Sequence, residues 1–321
     1  MDSKEAIDWN KGEHAQLVSI GTHKLFVSVS GADREAGQPV VVLMHGVTST
    51  MSEWPVVRRL ISNFARILDY DRSGYGLSEE SPDTPDALTI ASELTALLEA
   101  TKVEPPYVTL GHSWGGVLTM EFMHSRPDDI AGMVFVDAGV PHAYEVLPMA
   151  WRDPQMVAVT SDLDFLGVTG LKKNTVLSPE EWRAFLIEEQ SEKHERQAAK
   201  ENDIFPETYS ALAKKGLLEK DPPLLGNRPI CVVKGNSNKD YEKLYHAGVA
   251  TGNGTEEQRA RYRNVLRTWE EKDTVLQKQF LQMSTNGHFI QVPQTSGHNI
   301  QLTDPQFIAD GVRWTLEHLA G

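Results

Sequence analysis

The stretch GHSWGG, residues 111–116, places a serine between glycines, two positions before it and two and three after it, where an apolar run ends. The run PYVTL precedes it and the helix-like run VLTMEFMHS follows it, which predicts a strand, a turn and a helix. The stretch matches the pattern G-x-S-x-G, in which the serine lies on a strained strand-to-helix turn with an exposed hydroxyl. Glycines next to the serine permit such a turn because they lack a Cβ atom. We therefore predict that Ser113 is a nucleophile.

Apolar runs and helical patterns alternate on both sides of this turn. Continuous apolar runs are typical of strands that are buried on both faces. They occur at PVVVLMHG (39–46), ARILDYD (65–71), PYVTL (106–110), MVFVD (133–137), PICVVKG (229–235) and HFIQVP (288–293). Helical patterns such as EWPVVRRLISNF separate them. This alternation predicts an α/β fold with a doubly wound, mostly parallel sheet.

One long interval breaks the alternation. Between MVFVD and PICVVKG the chain shows helical patterns and no clear strand. It is too long for a simple crossover connection. We therefore predict an inserted helical cap at residues 141–228, with residues 1–140 and 229–321 forming the core.

Charge and composition limit the classes of partner. The chain has 321 residues, with 31 basic and 45 acidic side chains and a net charge of −14. This acidity argues against nucleic acid or an anionic membrane as a partner, and leaves a small molecule as the expected substrate. The single cysteine, the polar N-terminus and the lack of a long apolar run favour a cytoplasmic protein. The oligomeric state stays open.

A serine nucleophile requires a base. His298 lies between the last strand and the last helix, and this loop opens at the same edge of the sheet as Ser113. The alternative, His288, begins a strand pattern at the opposite edge, so we interpret it as structural. His112 adjoins the nucleophile and is expected to pack or to line the pocket. No grouping of histidines indicates a metal site.

The glycines of DRSGYGLS, which follow the run ARILDYD (65–71), raise the question of nucleotide binding. The third glycine of a dinucleotide fingerprint is missing, and the chain has no G-K-[ST] motif. We interpret the stretch as a turn in which Asp71 and Arg72 make local polar contacts.

Two further parts of the predicted site can be assigned to loops at this edge. An oxyanion hole requires convergent backbone N–H groups, and Trp114 and Val47 can each supply one. The base requires an acid to hold its working tautomer. Asp137 ends the strand MVFVD, and Asp240 follows PICVVKG; both occur between the serine and the histidine in the chain, so both remain candidates.

Substrate contacts are the least defined part of the predicted site. Apolar residues of the cap can line a pocket above the serine, or they can pack in the core of the cap itself. The candidate substrate-binding residues are His112, His142, Leu147 and Trp151, with Met149 and Phe185 as further apolar residues.

At this point the chain resembles the α/β-hydrolase superfamily, in its capped branch, over residues 15–320. The resemblance depends on LMHGVTS, DYDRSGYGLSE, GHSWGG, MVFVDAG and SGHNIQLTDP, in the order and rough spacing of that family. It implies a nucleophile at Ser113, a base at His298 and oxyanion donors at Val47 and Trp114. It also implies a cap between the sixth and seventh core strands of that fold, which here correspond to MVFVD and PICVVKG.

The acid departs from the common pattern of this superfamily. Most relatives carry it in a G-x-x-D pattern after the seventh strand, where this chain has Gly235 followed by Asn238 at the aspartate position. Other relatives, including haloalkane dehalogenases and fungal-type lactonases, carry it at the end of the sixth strand, which matches Asp137. The resemblance therefore favours Asp137 over Asp240.

The type of nucleophile narrows the expected chemistry. Dehalogenases and epoxide hydrolases of this superfamily use aspartate at the turn, so a serine points to acyl transfer. We expect hydrolysis of an ester or lactone, with no cofactor and no metal. The alternatives are perhydrolase, lyase, C–C hydrolase or cyclisation chemistry on the same residues, or a ligand-binding receptor without turnover.

Overall fold

A computed structural model describes residues 7–319 of the chain. The described residues contain an eight-stranded sheet. Its strands are β1 (His14–Ser19), β2 (Lys24–Ser30), β3 (Val40–Met44), β4 (Ile67–Tyr70), β5 (Tyr107–His112), β6 (Ile130–Val136), β7 (Ile230–Lys234) and β8 (Gly287–Gln291). They lie in the order β1-β2-β4-β3-β5-β6-β7-β8. β2 pairs antiparallel with β1 and β4, and the other pairs are parallel, which confirms the predicted mostly parallel sheet.

Helices occupy most of the chain between the strands. They are α1 (Pro55–Ser62), α2 (Ala87–Thr101), α3 (Gly115–Ser125), α4 (Ala143–Val146), α5 (Pro154–Thr160), α6 (Phe165–Thr169), α7 (Leu171–Asn174), α8 (Pro179–Glu189), α9 (Glu192–Ala213), α10 (Ser237–Ala250), α11 (Glu256–Lys278), α12 (Ile300–Thr303) and α13 (Pro305–Glu317). Short 3₁₀ segments occur at Met51–Glu53, Pro127–Asp129 and Gln279–Met283. Within residues 7–319, no helix has both the length and the apolar character needed to cross a membrane.

The central strands of the sheet are buried on both faces. Alternate side chains of the central strands contribute to two separate apolar clusters; Val41 and Leu43 of β3 belong to one, and Val40 and Val42 to the other. Helices α1 and α13 cover the first face, and α2 and α3 cover the second. Burial of each such side chain stabilises the fold by about 1.5–3 kcal/mol. This two-sided burial explains why the central strands are continuously apolar in sequence.

The interval between β6 and β7 contains α4 to α9. Helix α8 begins with a capping box: Ser178 Oγ accepts from the Glu181 N–H, and the Glu181 carboxylate accepts from the Ser178 N–H. The assignment of residues 141–228 as a separate cap stays a prediction.

Two helices that the sequence analysis did not identify, α10 and α11, fill the interval between β7 and β8. Both pack against α5 of the preceding interval. Helix α10 approaches α5 so closely that a Cβ atom on Gly248 would lie 1.8 Å from the Val159 carbonyl oxygen. Helices from two separate intervals therefore form one layer over the carboxyl ends of the strands.

Candidate active site

Ser113 occupies a sharp turn between β5 and α3. Its φ of 54° is in the left-handed region, which is unusual for a residue other than glycine. The turn is compact because β3 runs beside it: a Cβ atom on Gly115 would lie 2.0 Å from the Met44 carbonyl oxygen. The Ser113 carbonyl accepts from the Gly139 N–H at 2.6 Å, which links the turn to the end of β6. Local strain is typical of functional turns, and here it leaves the hydroxyl facing a cavity.

Asp137 follows β6 directly and also has a left-handed φ, of 39°. Its Oδ2 atom lies 2.6 Å from His298 Nδ1 and 2.7 Å from the Ser237 hydroxyl, while Oδ1 accepts from the Gly235 N–H at 2.9 Å. Burial alone would raise the pKa of Asp137, but its hydrogen bond to His298, that ring's charge and the Lys234 ammonium lower it below the ordinary value. Asp137 is therefore an ionised hydrogen-bond acceptor for the imidazole.

His298 lies in the loop between β8 and α12, as its position in the sequence implies. Burial by itself lowers the pKa of this imidazole, but the hydrogen bond and charge of Asp137 raise it above the ordinary value. Within the described residues, the ring has no hydrogen bond to the Ser113 hydroxyl. Catalytic hydrogen bonds are often long in the absence of substrate and tighten when substrate binds.

Asp240 contacts the same histidine through the main chain. Its Oδ2 atom accepts from the His298 backbone N–H at 3.0 Å, and burial raises the pKa of the Asp240 carboxyl. The two candidate acids thus make different contacts: Asp137 reaches the ring and Asp240 reaches the backbone. Asn238, the residue at the common acid position, hydrogen-bonds to Glu242 on the surface of α10.

His112 is buried beneath the histidine loop. Its Nε2 donates to the His298 carbonyl oxygen at 3.1 Å, and the two ring centroids are 4.8 Å apart. Burial, with a smaller contribution from the charge of His298, lowers the pKa of His112 to about 3. The ring is therefore neutral at physiological pH. His288, the alternative base, lies within β8 and stacks on Trp314 with centroids 4.7 Å apart, and it does not line the cavity.

The loop after β3 passes beside the serine. A Cβ atom on Gly46 would lie 3.1 Å from the Ser113 Cβ atom, so the backbone at residues 46–47 flanks the hydroxyl. Among the described residues, the backbone N–H groups of Val47 and Trp114 donate to no protein acceptor. Both N–H groups are therefore free to bind a ligand oxygen next to Ser113.

Val47, Ser113 and His298 line a cavity of about 560 Å³ that extends beneath α4 to α11. Of the residues predicted to contact substrate, His112, Leu147 and Trp151 line it, as do Met149 and Phe185. His142 does not: it precedes the short helix α4, and its ring faces Glu145 at 2.9 Å and Glu219 at 3.6 Å.

Much of the cavity wall was not identified from the sequence. It includes Tyr144, Phe205 and Tyr209, as well as residues of α10 and α11. In α11 the lining residues Tyr262, Trp269 and Leu276 follow one another at intervals of seven, which places them on one helix face. That spacing was a detectable signal, although the surrounding sequence is strongly polar.

The ionisable groups that line the cavity are mainly acidic, and one of them, Asp273, is paired with the buried Lys234 ammonium at 3.0 Å. The cavity lining contains the carboxyl groups of five residues: Glu53, Asp137, Glu189, Asp240 and Asp273. No lysine or arginine of residues 7–319 lines the cavity. Burial raises the pKa of Glu189 to about 7 and that of Asp273 to about 6. Nowhere in residues 7–319 do three or more His, Cys, Asp or Glu side chains group in a way that could hold a metal ion.

The sequence profile of the Alpha/beta hydrolase family matches residues 41–310. The chain belongs to this family. The matched range includes the serine turn, both candidate acids and the histidine loop. The candidate site therefore lies within the part of the chain that the family profile matches.

Two curated fungal proteins are similar to this α/β hydrolase over most of its length. The first is an AB hydrolase superfamily protein of Gibberella zeae, 31% identical over 313 residues, with 93% of this chain and 94% of that protein covered. The second is a probable transporter, efuK, of Hormonema carpetanum, 30% identical over 313 residues. That alignment covers 94% of this chain, which spans only 42% of the length of efuK.

Solved structures share the fold of this α/β hydrolase at low sequence identity. Cfl2 from Burkholderia cenocepacia superposes with a TM-score of 0.63 at 17% identity, covering 95% of this chain and 96% of Cfl2. At this level of identity the similarity establishes the fold alone.

Proposed function

We propose that the protein is a serine hydrolase that cleaves an ester or lactone through an acyl-enzyme intermediate. Ser113 is the nucleophile, His298 the general base and Asp137 the acid that orients it. The observation that carries this proposal is the 2.6 Å contact between His298 Nδ1 and Asp137 Oδ2 in the cavity that the Ser113 hydroxyl faces. A carboxylate on Nδ1 leaves Nε2 without a proton, which is the form that can accept one from the serine.

The mechanism follows from the positions of these groups. Ser113 Oγ attacks the carbonyl carbon while His298 Nε2 removes its proton. The oxyanion that forms accepts hydrogen bonds from the Val47 and Trp114 N–H groups, assisted by the positive end of helix α3. His298 then protonates the leaving oxygen, and a water molecule activated by the same imidazole releases the acid. No step requires a metal or an organic cofactor.

The cavity supports a neutral, fairly apolar substrate of modest size. Its volume of about 560 Å³ and its aromatic wall favour apolar groups, and its carboxylates disfavour an anionic substrate. We propose that residues 141–228 form a cap that sets substrate choice, together with α10 and α11, which complete the wall. A small-molecule substrate, no nucleic-acid partner and a cytoplasmic location are proposed from the acidic composition and the single cysteine.

A fluorophosphonate probe and 4-nitrophenyl acetate together test this function. We expect the probe to label the wild-type protein and Ser49→Ala, which removes a different hydroxyl at the cavity, but not Ser113→Ala. Labelling with turnover of 4-nitrophenyl acetate supports an esterase. Labelling without turnover of esters or lactones supports a receptor or one of the other reactions of the same residues, and no labelling contradicts the proposal.

A further inference from the structure

A buried ion pair joins the loop after β4 to the long helix α9. Arg72 Nε lies 2.8 Å from Glu201 Oε1, and Arg72 Nη2 lies 2.9 Å from Glu201 Oε2. The side chains are 3% and 0% exposed, respectively. A bidentate, fully desolvated pair of this kind holds both partners in one geometry. The sequence analysis interpreted Arg72 as a residue with local contacts, yet its partner is 129 positions away.

Each member of the pair also binds the backbone of the loop after β3. Arg72 Nη2 donates to the Gly46 carbonyl oxygen at 2.8 Å, and Nη1 donates to the His45 carbonyl oxygen at 3.3 Å. Glu201 Oε2 accepts from the Thr48 N–H at 2.8 Å. Thr48 has a left-handed φ of 61°, so the loop depends on such contacts to keep this conformation.

These contacts hold both peptide units that flank Val47. The Gly46 carbonyl and the Val47 N–H belong to one planar trans peptide, so they point in opposite directions. When Arg72 binds the carbonyl on one side, it directs the Val47 N–H to the other side. The next peptide unit is held in the same way, because its N–H, that of Thr48, is bound by Glu201.

The same helix also contacts the residue that carries the second oxyanion donor. Trp114 Nε1 donates to Thr208 Oγ1 on α9 at 2.9 Å, and the Arg72 guanidinium lies 5.4 Å from the centroid of the Trp114 ring. Helix α9 therefore reaches both sides of the proposed oxyanion hole, although it belongs to the interval between β6 and β7.

We infer that Arg72 and Glu201 are positioning residues that aim the Val47 N–H at the oxyanion, so that docking of α9 completes the oxyanion hole. This inference depends on the proposed acyl-transfer function. The inference gives α9 a role in the reaction, in addition to the residues that this helix contributes to the cavity wall. The alternative is that the pair only attaches α9 to the core.

Lys193 provides a matched control for simple attachment. It lies on the same helix, and its Nζ donates to the Gly76 and Ser78 carbonyl oxygens at 2.7 and 2.6 Å. These carbonyls belong to the same loop as Arg72, but Lys193 does not contact residues 45–48. Lys193→Met should therefore weaken the docking of α9 without redirecting the Val47 N–H.

The test compares Glu201→Gln and Lys193→Met in three measurements. These are kcat/KM for 4-nitrophenyl butanoate, the inhibition constant of 1,1,1-trifluoro-2-pentanone, and Tm. The ketone has the same acyl chain and forms an adduct whose oxyanion requires the hole. We expect Glu201→Gln to lower kcat/KM by about tenfold or more and to raise the inhibition constant by the same factor. Lys193→Met should lower Tm and change both constants by less than about twofold.

A double variant separates positioning from stability. Glu201→Gln leaves Arg72 buried without a counter-charge and can destabilise the fold, whereas Arg72→Met/Glu201→Met leaves no unpaired charge. We expect the double variant to fold and still to bind the ketone about tenfold or more weakly. Wild-type ketone affinity in the double variant, or an equal loss in Lys193→Met, would overturn the inference. If the wild-type protein neither cleaves the ester nor binds the ketone, the acyl-transfer proposal fails and this inference fails with it.

Discussion

The Nδ1 atom of His298 and the Oδ2 atom of Asp137 lie 2.6 Å apart, although 161 positions separate the two residues in the chain. Asp137 follows a strand whose position is fixed by pairing on both sides, so the carboxylate is held while the loop of His298 folds over it. The contact controls which imidazole nitrogen carries the proton, and for this reason it is the most informative one to break.

We predict that Asp137→Asn lowers kcat by about 10³- to 10⁴-fold, because an amide at this position loses tautomer control and charge. Asp240→Asn should lower kcat by less than about tenfold, since an amide oxygen can still accept from the His298 N–H. Both variants should be assayed on one ester, with Tm as a check on folding. Near-normal turnover in Asp137→Asn with collapse in Asp240→Asn would assign the acid to α10.

Substitutions of Ser113 and His298 should lower kcat non-additively, because the two residues act in the same chemical step. We predict that Ser113→Ala and His298→Ala each lower kcat by about 10⁴-fold or more, and that the double variant is no worse than either. His288→Ala is the control, because His288 stacks on Trp314 outside the cavity and its loss should leave kcat largely unchanged. Additive losses in the double variant would show that the two residues do not act in one step.

The acidic limb of kcat/KM should report the titration of His298, since only the neutral imidazole can accept a proton. Burial lowers the pKa of His298, but the hydrogen bond and charge of Asp137 raise it, so that the resulting pKa lies above the ordinary value for histidine. We therefore expect activity to be lost as the pH falls through this pKa. We predict that Asp137→Asn moves this limb to lower pH, because the raising contribution is removed. The measurement is a pH profile of the residual activity.

Glu189 is the control for that profile, because it lines the cavity and its pKa, raised by burial, is about 7. In Glu189→Gln the acidic limb should remain. Its disappearance in that variant would assign the limb to Glu189 and contradict the role of His298.

Charge selectivity follows from the carboxylates of the cavity. We predict that kcat/KM for mono-4-nitrophenyl succinate, which carries a carboxylate, is about tenfold or more below that for 4-nitrophenyl butanoate at pH 8. Repulsion between like charges about 10 Å apart at an effective dielectric constant of about 20 is roughly 1.7 kcal/mol, enough for such a difference. Glu189→Gln should reduce the difference in kcat/KM between the two esters. Equal kcat/KM values for the two esters in the wild-type protein would contradict the prediction.

The fold could be predicted from the sequence because its central strands are buried on both faces. Strands β3, β5 and β7 consist of buried residues throughout, and β6 does so except at Ala131. Burial on both faces requires the continuous apolar runs seen in the sequence. The serine turn was detectable for a related reason: the close approach of β3 requires glycine at position 115, and the motif contains it.

The resemblance favours Asp137, but the residues around the two candidate acids and around Arg72 do not show which distant residue each side chain contacts. Asp137 and Asp240 both follow parallel strands at one edge, and they differ in whether the side chain or the backbone of His298 lies within reach. The partner of Arg72 lies on a helix whose own sequence is polar, so nothing near either residue indicates the pair. Contacts between distant segments of this kind become visible only when the helices are packed.

The helical part of the cavity wall comes from two separate segments of the chain, α4 to α9 before β7 and α10 to α11 after it. We therefore expect that substrate preference does not transfer with residues 141–228 alone. A chimera that takes only residues 141–228 from a relative would line the cavity partly with residues of the relative and partly with the native Tyr262, Trp269 and Leu276. The grafted α5 would also have to fit the close backbone contact that Gly248 makes with Val159 in this protein. Laboratory recombination of such hydrolases should place its crossovers so that both segments are inherited together.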